Sequence, residues 1–332
     1  MQDFRCRVCD ARLFFENSVC VSCGSALGYS RQEQAIVPVD EAGRYVDADG
    51  LIWHVCRNLN LSGCTWLARL EGGQCEGCDF TRVRPNDADL AGLANFVPAE
   101  RAKRHLLAEL DRLGLEVRSR AEDAASGLCF DLLSSTLQPV VTGHVDGVIT
   151  IDLAESEAAH REGLREQLAE PYRTLLGHFR HEFGHYAQWT LVADAETPRF
   201  RELFGDERAD YQAAVDRHYV EGAPAGWQST FISAYATMHP FEDFAETWAH
   251  LMHILDTVDS ATAFGLTDAV ARGTADVSSM RALVVDVWVP LSTALNAVNR
   301  SMGKDDLYPF TIPAPVLDKL DFVASLLPAR SR

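Results

Sequence analysis

Residues 181–185 read His-Glu-Phe-Gly-His, a set of side chains that can bind a metal ion and activate water. They lie in the apolar-periodic run 170–192, which predicts a helix, with Pro171 in its first turn. One helical turn separates His181 from His185, so both imidazoles can bind one zinc ion. Glu182 would be the general base, because zinc lowers the pKa of water from ~15.7 to about 7. The alternative is a helix with two surface histidines.

Two histidines do not complete a catalytic zinc site, which needs three protein ligands and one open position. The metzincin continuation requires glycine and histidine where this chain has Gln188 and Leu191, so that class is excluded. Two later acidic stretches, residues 205–211 and 241–250, could supply the third ligand.

The second acidic stretch has the more informative pattern. Glu242 and Glu246 share a helix face, and two acids on one face repel unless a cation or a partner stabilises them. We predict that Glu242 binds zinc and that Glu246 accepts the other N–H of a ligand histidine. The stretch 206–210 has the same spacing, but we interpret it as a solvated acidic helix face. Tyr235 could stabilise an oxyanion, or it could be an ordinary core or surface residue.

The nine cysteines form two sets and one single residue. The first set has zinc-ribbon spacing; it comprises Cys6, Cys9, Cys20 and Cys23. The second set is less regular; it comprises Cys56, Cys64, Cys75 and Cys78. Four thiolates fill all four positions of a tetrahedral zinc site and leave none open for catalysis. We therefore predict two structural zinc ions, one in each set. His54 could replace Cys56, and ligands could be exchanged between the sets. Cys129 is predicted to be buried and inert.

Composition restricts the class of protein. The 332 residues carry a formal net charge of −18, which argues against nucleic acids and anionic membranes as partners. We find no run of about 18 apolar residues, and hence predict no transmembrane helix. The first residues lack the pattern of a secretory signal, so we expect a cytoplasmic protein whose cysteines bind metal.

The surrounding pattern predicts an α+β protein with a zinc-ribbon-like domain at 1–85 and a mostly helical domain with a small sheet at 86–332. We expect helices at 98–113 and 282–298, and a last helix through Leu326. Strands are expected in four places: residues 35–39 and 50–53 in the first domain, and 115–120 and 128–133 in the second. The stretch 147–153 is a further strand, either a sheet edge that pairs with an extended substrate or an ordinary buried strand.

The motif residues resemble the catalytic set of the anthrax lethal factor type of gluzincin, in which a tyrosine, a ligand glutamate and a second glutamate follow at matching spacings. Here these are Tyr235, Glu242 and Glu246. The whole chain also resembles the bacterial zinc-binding metallopeptidase family with an N-terminal zinc ribbon. The stretches that carry this second resemblance are the ribbon cysteines and residues 143–151, 170–180 and 239–242. It implies a zincin-like catalytic domain.

We therefore predict a zinc-dependent endopeptidase that acts on a peptide or protein substrate. The alternatives are a non-peptide amide hydrolase and a zinc-stabilised interaction module whose His-Glu-x-x-His site is vestigial or structural. The ribbon would recruit a substrate or protein partner, or it would cover the cleft. Deletion of residues 1–85 tests both roles.

Overall fold

In the computed structural model, short antiparallel strands hold the cysteine-rich start of the chain. The structure describes residues 3–136, 138–157, 174–268 and 277–328. The strands form two hairpins and one three-stranded sheet: β1 Phe4–Arg5 with β2 Arg12–Leu13, β3 Leu27–Ser30 with β4 Ala35–Pro38, and β5 Arg44–Val46, β6 Ile52–Val55 and β7 Leu67–Ala68. Strands β4 and β6 fall where the sequence predicts strands, with ends that differ by a few residues. Gly24 has φ 76°, which glycine adopts without strain, so the chain can turn sharply after the second cysteine pair.

A four-stranded sheet follows, in the order β10-β11-β9-β8. Its strands are β8 Thr81–Val83, β9 Cys129–Leu133, β10 Gly143–Val145 and β11 Val148–Asp152. Strand β11 pairs parallel to β9 on one side and antiparallel to β10 on the other. Ile149 and Ile151 are fully buried. The suggestion that this strand is a sheet edge is therefore wrong, and the alternative of an ordinary buried strand is confirmed.

The strand predicted at 115–120 does not form. Ser119 makes only an isolated bridge to Leu128. Its carbonyl accepts hydrogen bonds from the backbone N–H groups of Glu122 and Asp123, so the chain turns back instead of extending. The strand predicted at 128–133 is present as β9.

Three helices belong to the first part of the chain: α1 Leu59–Ser62, α2 Glu76–Asp79 and α3 Leu90–Leu113. The sequence pattern predicts that this helix begins at Pro98. In the structure, α3 begins eight residues earlier, at Leu90. Asp89 explains the difference, because its carboxylate accepts the Gly92 N–H at 2.8 Å and caps the first turn. Pro98 lies inside the helix.

Beyond residue 173, the described elements are helices and short helical turns. The helices are α4 Leu175–Leu191, α5 Thr197–Phe204, α6 Tyr211–Glu221, α7 Pro240–Ala263, α8 Val277–Ala282, α9 Val289–Ser301 and α10 Ala314–Ser325, with a π-helix at Leu283–Trp288 between α8 and α9. Thr174 caps α4 by accepting the Gly177 N–H. The predicted helix start at residues 170–173, including Pro171, lies outside the described residues. With the small sheets, these helices confirm the α+β class.

Helices α4 and α7 approach closely, and Gly184 makes this possible. A Cβ atom at Gly184 would lie 2.8 Å from Ala245 Cα and 3.1 Å from Trp248 Cβ. Such contacts are too short for a larger residue at this crossing. The glycine inside the His-Glu-x-x-His segment therefore lets the two helices that carry the predicted ligands meet.

The helical stretch Met280–Ser301 is long and apolar enough to cross a membrane by length and composition. The sequence analysis predicts no such segment, and by length and composition that prediction is wrong. Leu283, Val284 and Trp288 are buried, whereas Val285, Val289 and Val298 are exposed. One such helix is weak evidence for a membrane span.

The chain divides into two compact units. The first extends to Glu157 apart from Leu113–Leu115, and the second contains Leu113–Leu115 and the later residues. The boundary at residue 85 stays a prediction. Within the first unit α3 packs on the ribbon: Arg31 binds Asp111 through two hydrogen bonds of 2.7 and 2.8 Å, and Arg104 donates to the Ser62 carbonyl at 3.2 Å.

A buried ion pair joins α10 to α7. Lys319 Nζ lies 2.6 Å from Asp243 Oδ2, and both side chains are almost fully buried. We expect Lys319→Met to lower the free energy of unfolding of this unit by about 3–5 kcal/mol, because Asp243 is left as an uncompensated buried charge. Urea unfolding measures the effect, with the exposed Lys304→Met as control. Equal stability of the two variants would contradict the prediction.

Candidate metal centres

The α4–α7 crossing brings together three side chains that the sequence predicts as zinc ligands. His181 Nε2 lies 3.0 Å and His185 Nε2 lies 3.4 Å from the same oxygen, Glu242 Oε2. His181 and Glu242 are buried, and His185 is half-buried. Two imidazole nitrogens and one carboxylate oxygen form the donor set of a catalytic zinc site, and all three face one point. The residues therefore fit a zinc ion.

Glu246, one helical turn after Glu242, contacts the ring nitrogen of His181 that points away from Glu242. Its Oε1 lies 2.7 Å from His181 Nδ1. Burial raises the pKa of Glu246, but the hydrogen bond to His181 and the other nearby polar groups together outweigh it and lower the pKa to about 2. His181 thus has one ring nitrogen towards Glu242 and the other fixed by Glu246.

Glu182 has two carboxylate oxygens in different environments. Its Oε1 lies 3.1 Å from His178 Nε2. Its Oε2 is buried and has no hydrogen-bond partner among the described residues. Burial raises the pKa of Glu182, but the hydrogen bond from His178 and the nearby imidazoles outweigh it and lower the pKa. Glu182 is therefore ionised and offers a free acceptor.

Tyr235 begins a short 3-10 turn, Tyr235–Thr237, and lies beside the histidines. Its ring centroid is 5.8 Å from that of His181. Burial raises the pKa of Tyr235, and the charge of Glu242 adds to this effect, so the phenol is neutral. Within the described part of the chain its hydroxyl makes no hydrogen bond, which leaves a donor next to the site.

The competing acidic stretch, residues 206–210, does not supply a ligand in the described structure. Asp206 pairs with Arg208 at 2.8 Å on the exposed surface. Asp210 caps α6 by accepting the Ala213 N–H. Tyr211, the last residue of the stretch predicted at 205–211, does reach the site, since its hydroxyl donates to Glu242 Oε1 at 2.8 Å.

Eight of the cysteines form two four-cysteine clusters, grouped as the sequence predicts. In the first, the Sγ atoms of Cys6 and Cys23 are 3.8 Å apart, and those of Cys9 and Cys20 are 3.6 Å apart. Sulfurs that surround zinc at ~2.3 Å as a tetrahedron are separated by about 3.8 Å, so the distances fit this metal. The hydroxyl and backbone N–H of Ser25 lower the pKa of Cys23 to about 6, which favours the thiolate.

The second cluster is buried at all four cysteines. Its Sγ distances are 3.7 Å between Cys56 and Cys78 and 3.5 Å between Cys64 and Cys75. The backbone N–H of Cys75 points at Cys56 Sγ at 3.4 Å, a contact that stabilises a thiolate. Among the described residues, His54, the alternative ligand, is not part of the cluster. Cys129 is buried in β9, away from both clusters.

Two residues of the site have no role assigned to them in the sequence analysis. His178 lies four residues before Glu182, and this helical spacing could have revealed the pair. Tyr211 lies 31 residues before Glu242 on another helix. Helical periodicity does not connect two elements that meet only through the tertiary fold.

Comparisons with known proteins show the family of this chain. Residues 92–326 match the family described as "Putative zinc-binding metallo-peptidase", and residues 3–89 match a zinc-ribbon domain. Proteins of Mycobacterium bovis and of two Mycobacterium tuberculosis strains, each named as uncharacterized, are 50% identical over 333 residues, which covers 98% of this chain and 95% of each relative. No solved structure matches the chain. The chain therefore belongs to this family of zinc-binding metallopeptidases and carries an N-terminal zinc ribbon.

Proposed function

We propose that this protein hydrolyses peptide bonds with a zinc ion held by His181, His185 and Glu242. The observation that carries the proposal is the buried Glu182 Oε2 beside these three ligands, which has no hydrogen-bond partner among the described residues. A structural metal site has no use for such a carboxylate, whereas hydrolysis requires a base there. Bound zinc would polarise the peptide carbonyl and lower the pKa of the attacking water to about 7.

The side chains around the ligands would perform the remaining steps. Glu182 Oε2 accepts a proton from the attacking water and then returns it to the leaving amine. Tyr235 donates its hydroxyl proton in a hydrogen bond to the oxyanion that develops on the substrate carbonyl. Glu246 fixes the orientation of His181, and His178 restrains Glu182 through its other oxygen.

These roles support assignment to the lethal factor type of gluzincin, with a zincin-like catalytic domain. We infer a preference for endopeptidase activity on peptide or protein substrates. The two four-cysteine clusters would hold structural zinc ions, because four thiolates leave no open coordination position. Zinc sites of this type need reduced cysteines, which supports a cytoplasmic location.

Zinc content tests the ligand assignment. We expect about three zinc ions per chain in the wild type and about two in His181→Ala, because the four-cysteine clusters keep theirs. Elemental analysis of purified protein measures this. His178→Ala is the matched control on the same helix, and it should retain about three. About two ions in every variant would contradict a metal centre at α4.

A second function, as an interaction module, is supported by the surface of the ribbon. Val8 lies between Cys6 and Cys9, and Val21 lies between Cys20 and Cys23; they are 60% and 93% exposed. Apolar side chains at both tips suit contact with a protein partner. Loss of hydrolysis on removal of the Glu182 carboxylate distinguishes the enzyme from a pure interaction protein.

A further inference from the structure

We propose that Tyr211 is a positioning residue that holds Glu242 in monodentate metal binding, through Oε2 alone. This inference rests on the proposed function, because it assumes that Glu242 is a zinc ligand. It assigns a role at the zinc site to Tyr211, which lies on α6 and therefore outside both helices that carry the ligands.

The two oxygens of Glu242 have separate partners. Oε2 faces both ligand histidines, at 3.0 Å from His181 Nε2 and 3.4 Å from His185 Nε2. Oε1 accepts a hydrogen bond of 2.8 Å from the Tyr211 hydroxyl. A carboxylate can only accept hydrogen bonds, so the phenol is the donor.

The fold holds Tyr211 in place through the start of α7. His239 caps α7 by accepting the Phe241 N–H at Nδ1, so its Nε2 carries the proton. That Nε2–H donates to the Ala209 carbonyl at 3.0 Å, two residues before Tyr211. The His239 ring also packs edge-on against Tyr211, with 5.2 Å between the ring centroids. One imidazole therefore fixes both the ligand helix and the segment that delivers the tyrosine.

The hydrogen bond has a consequence for the metal site. A catalytic zinc site needs three protein ligands and one open position. If both oxygens of Glu242 bound the metal, the second would compete with water for that position. By holding Oε1 in a hydrogen bond, Tyr211 favours metal binding through Oε2. The two tyrosines thus differ: Tyr211 is engaged with a ligand, whereas the Tyr235 hydroxyl makes no hydrogen bond to a described residue.

Zinc binding by Tyr211→Phe tests this inference, because the variant removes one hydroxyl and keeps the ring. Protein is equilibrated with graded concentrations of free zinc, and bound zinc per chain is counted. We expect the affinity for the third zinc ion to fall about 10–100-fold, the usual effect of losing a partner of a metal ligand. The two ions of the four-cysteine clusters should be retained, and the melting temperature of protein without the third ion should not change.

Tyr219→Phe is the matched control, since Tyr219 lies on the same helix α6 and is 61% exposed. It should bind the third zinc ion as the wild type does. Glu242→Ala separates the two hypotheses. If Glu242→Ala loses the third ion and Tyr211→Phe binds it normally, the inference on Tyr211 is overturned and the proposed ligand set stands. If Glu242→Ala also binds it normally, the ligand assignment is overturned as well. A lower melting temperature with unchanged zinc affinity would overturn the positioning role.

Discussion

Glu182→Gln should lower peptide hydrolysis by about 10²–10⁴-fold, the usual contribution of a general base. The amide keeps the size and the buried position of the side chain but cannot accept a proton from water. Because Glu182 is not one of the three predicted zinc ligands, the variant should still bind about three zinc ions. Cleavage of a complex peptide mixture, read by mass spectrometry, measures activity on many candidate substrates at once.

Glu202→Gln is the matched control, because its carboxylate is 68% exposed on α5 and lies outside the site. It should cleave as the wild type does. If Glu182→Gln cleaves at the wild-type rate, the hydrolysis arises from a contaminant or from other residues, and the interaction module becomes the better interpretation.

Cys75→Ser should cause the largest loss of stability in the first unit. Its Sγ belongs to the fully buried second cluster, and serine does not replace a thiolate ligand. Structural zinc contributes about 10–16 kcal/mol of binding free energy in zinc-finger peptides, and this energy is coupled to folding. We expect one zinc ion fewer per chain and rapid amide hydrogen exchange in β6, β7 and α2.

Cys129→Ser provides the control for the chemical change. Only 3% of Cys129 is exposed, but it belongs to neither of the two clusters in the described part of the chain. This variant should keep its zinc and lose at most the few kcal/mol that a buried polar replacement costs. Equal zinc content in Cys75→Ser and Cys129→Ser would exclude a metal in the second cluster.

The contacts of α3 change how a deletion of residues 1–85 should be interpreted. Arg104 is buried and forms an ion pair with Glu16, and its terminal nitrogen reaches the Ser62 carbonyl. Removal of the ribbon would take away both of these partners, at a cost in stability, and would leave Glu100 of α3, 3.6 Å away, as the remaining ion-pair partner. Point substitutions at the exposed tips, such as those at Val8 and Val21, therefore test partner binding more directly than the deletion does.

Local spacing allowed much of the site to be predicted. The geometry of one helix sets His181 and His185 on one face, and the same rule separates Glu242 and Glu246 from Asp243. Cysteine spacing likewise predicted the composition of both clusters. These inferences needed no knowledge of distant residues, because each pattern lies within one short segment.

The tertiary structure decided what joins these segments. It placed β11 inside a sheet, although its sequence suits an edge or an interior strand equally. It showed that Gly184 lets α4 and α7 touch, and it brought Tyr211 to Glu242 across 31 residues. Helical and strand periodicities describe which face of an element is apolar, but they do not specify which other element packs there. That choice depends on the packing of the whole unit.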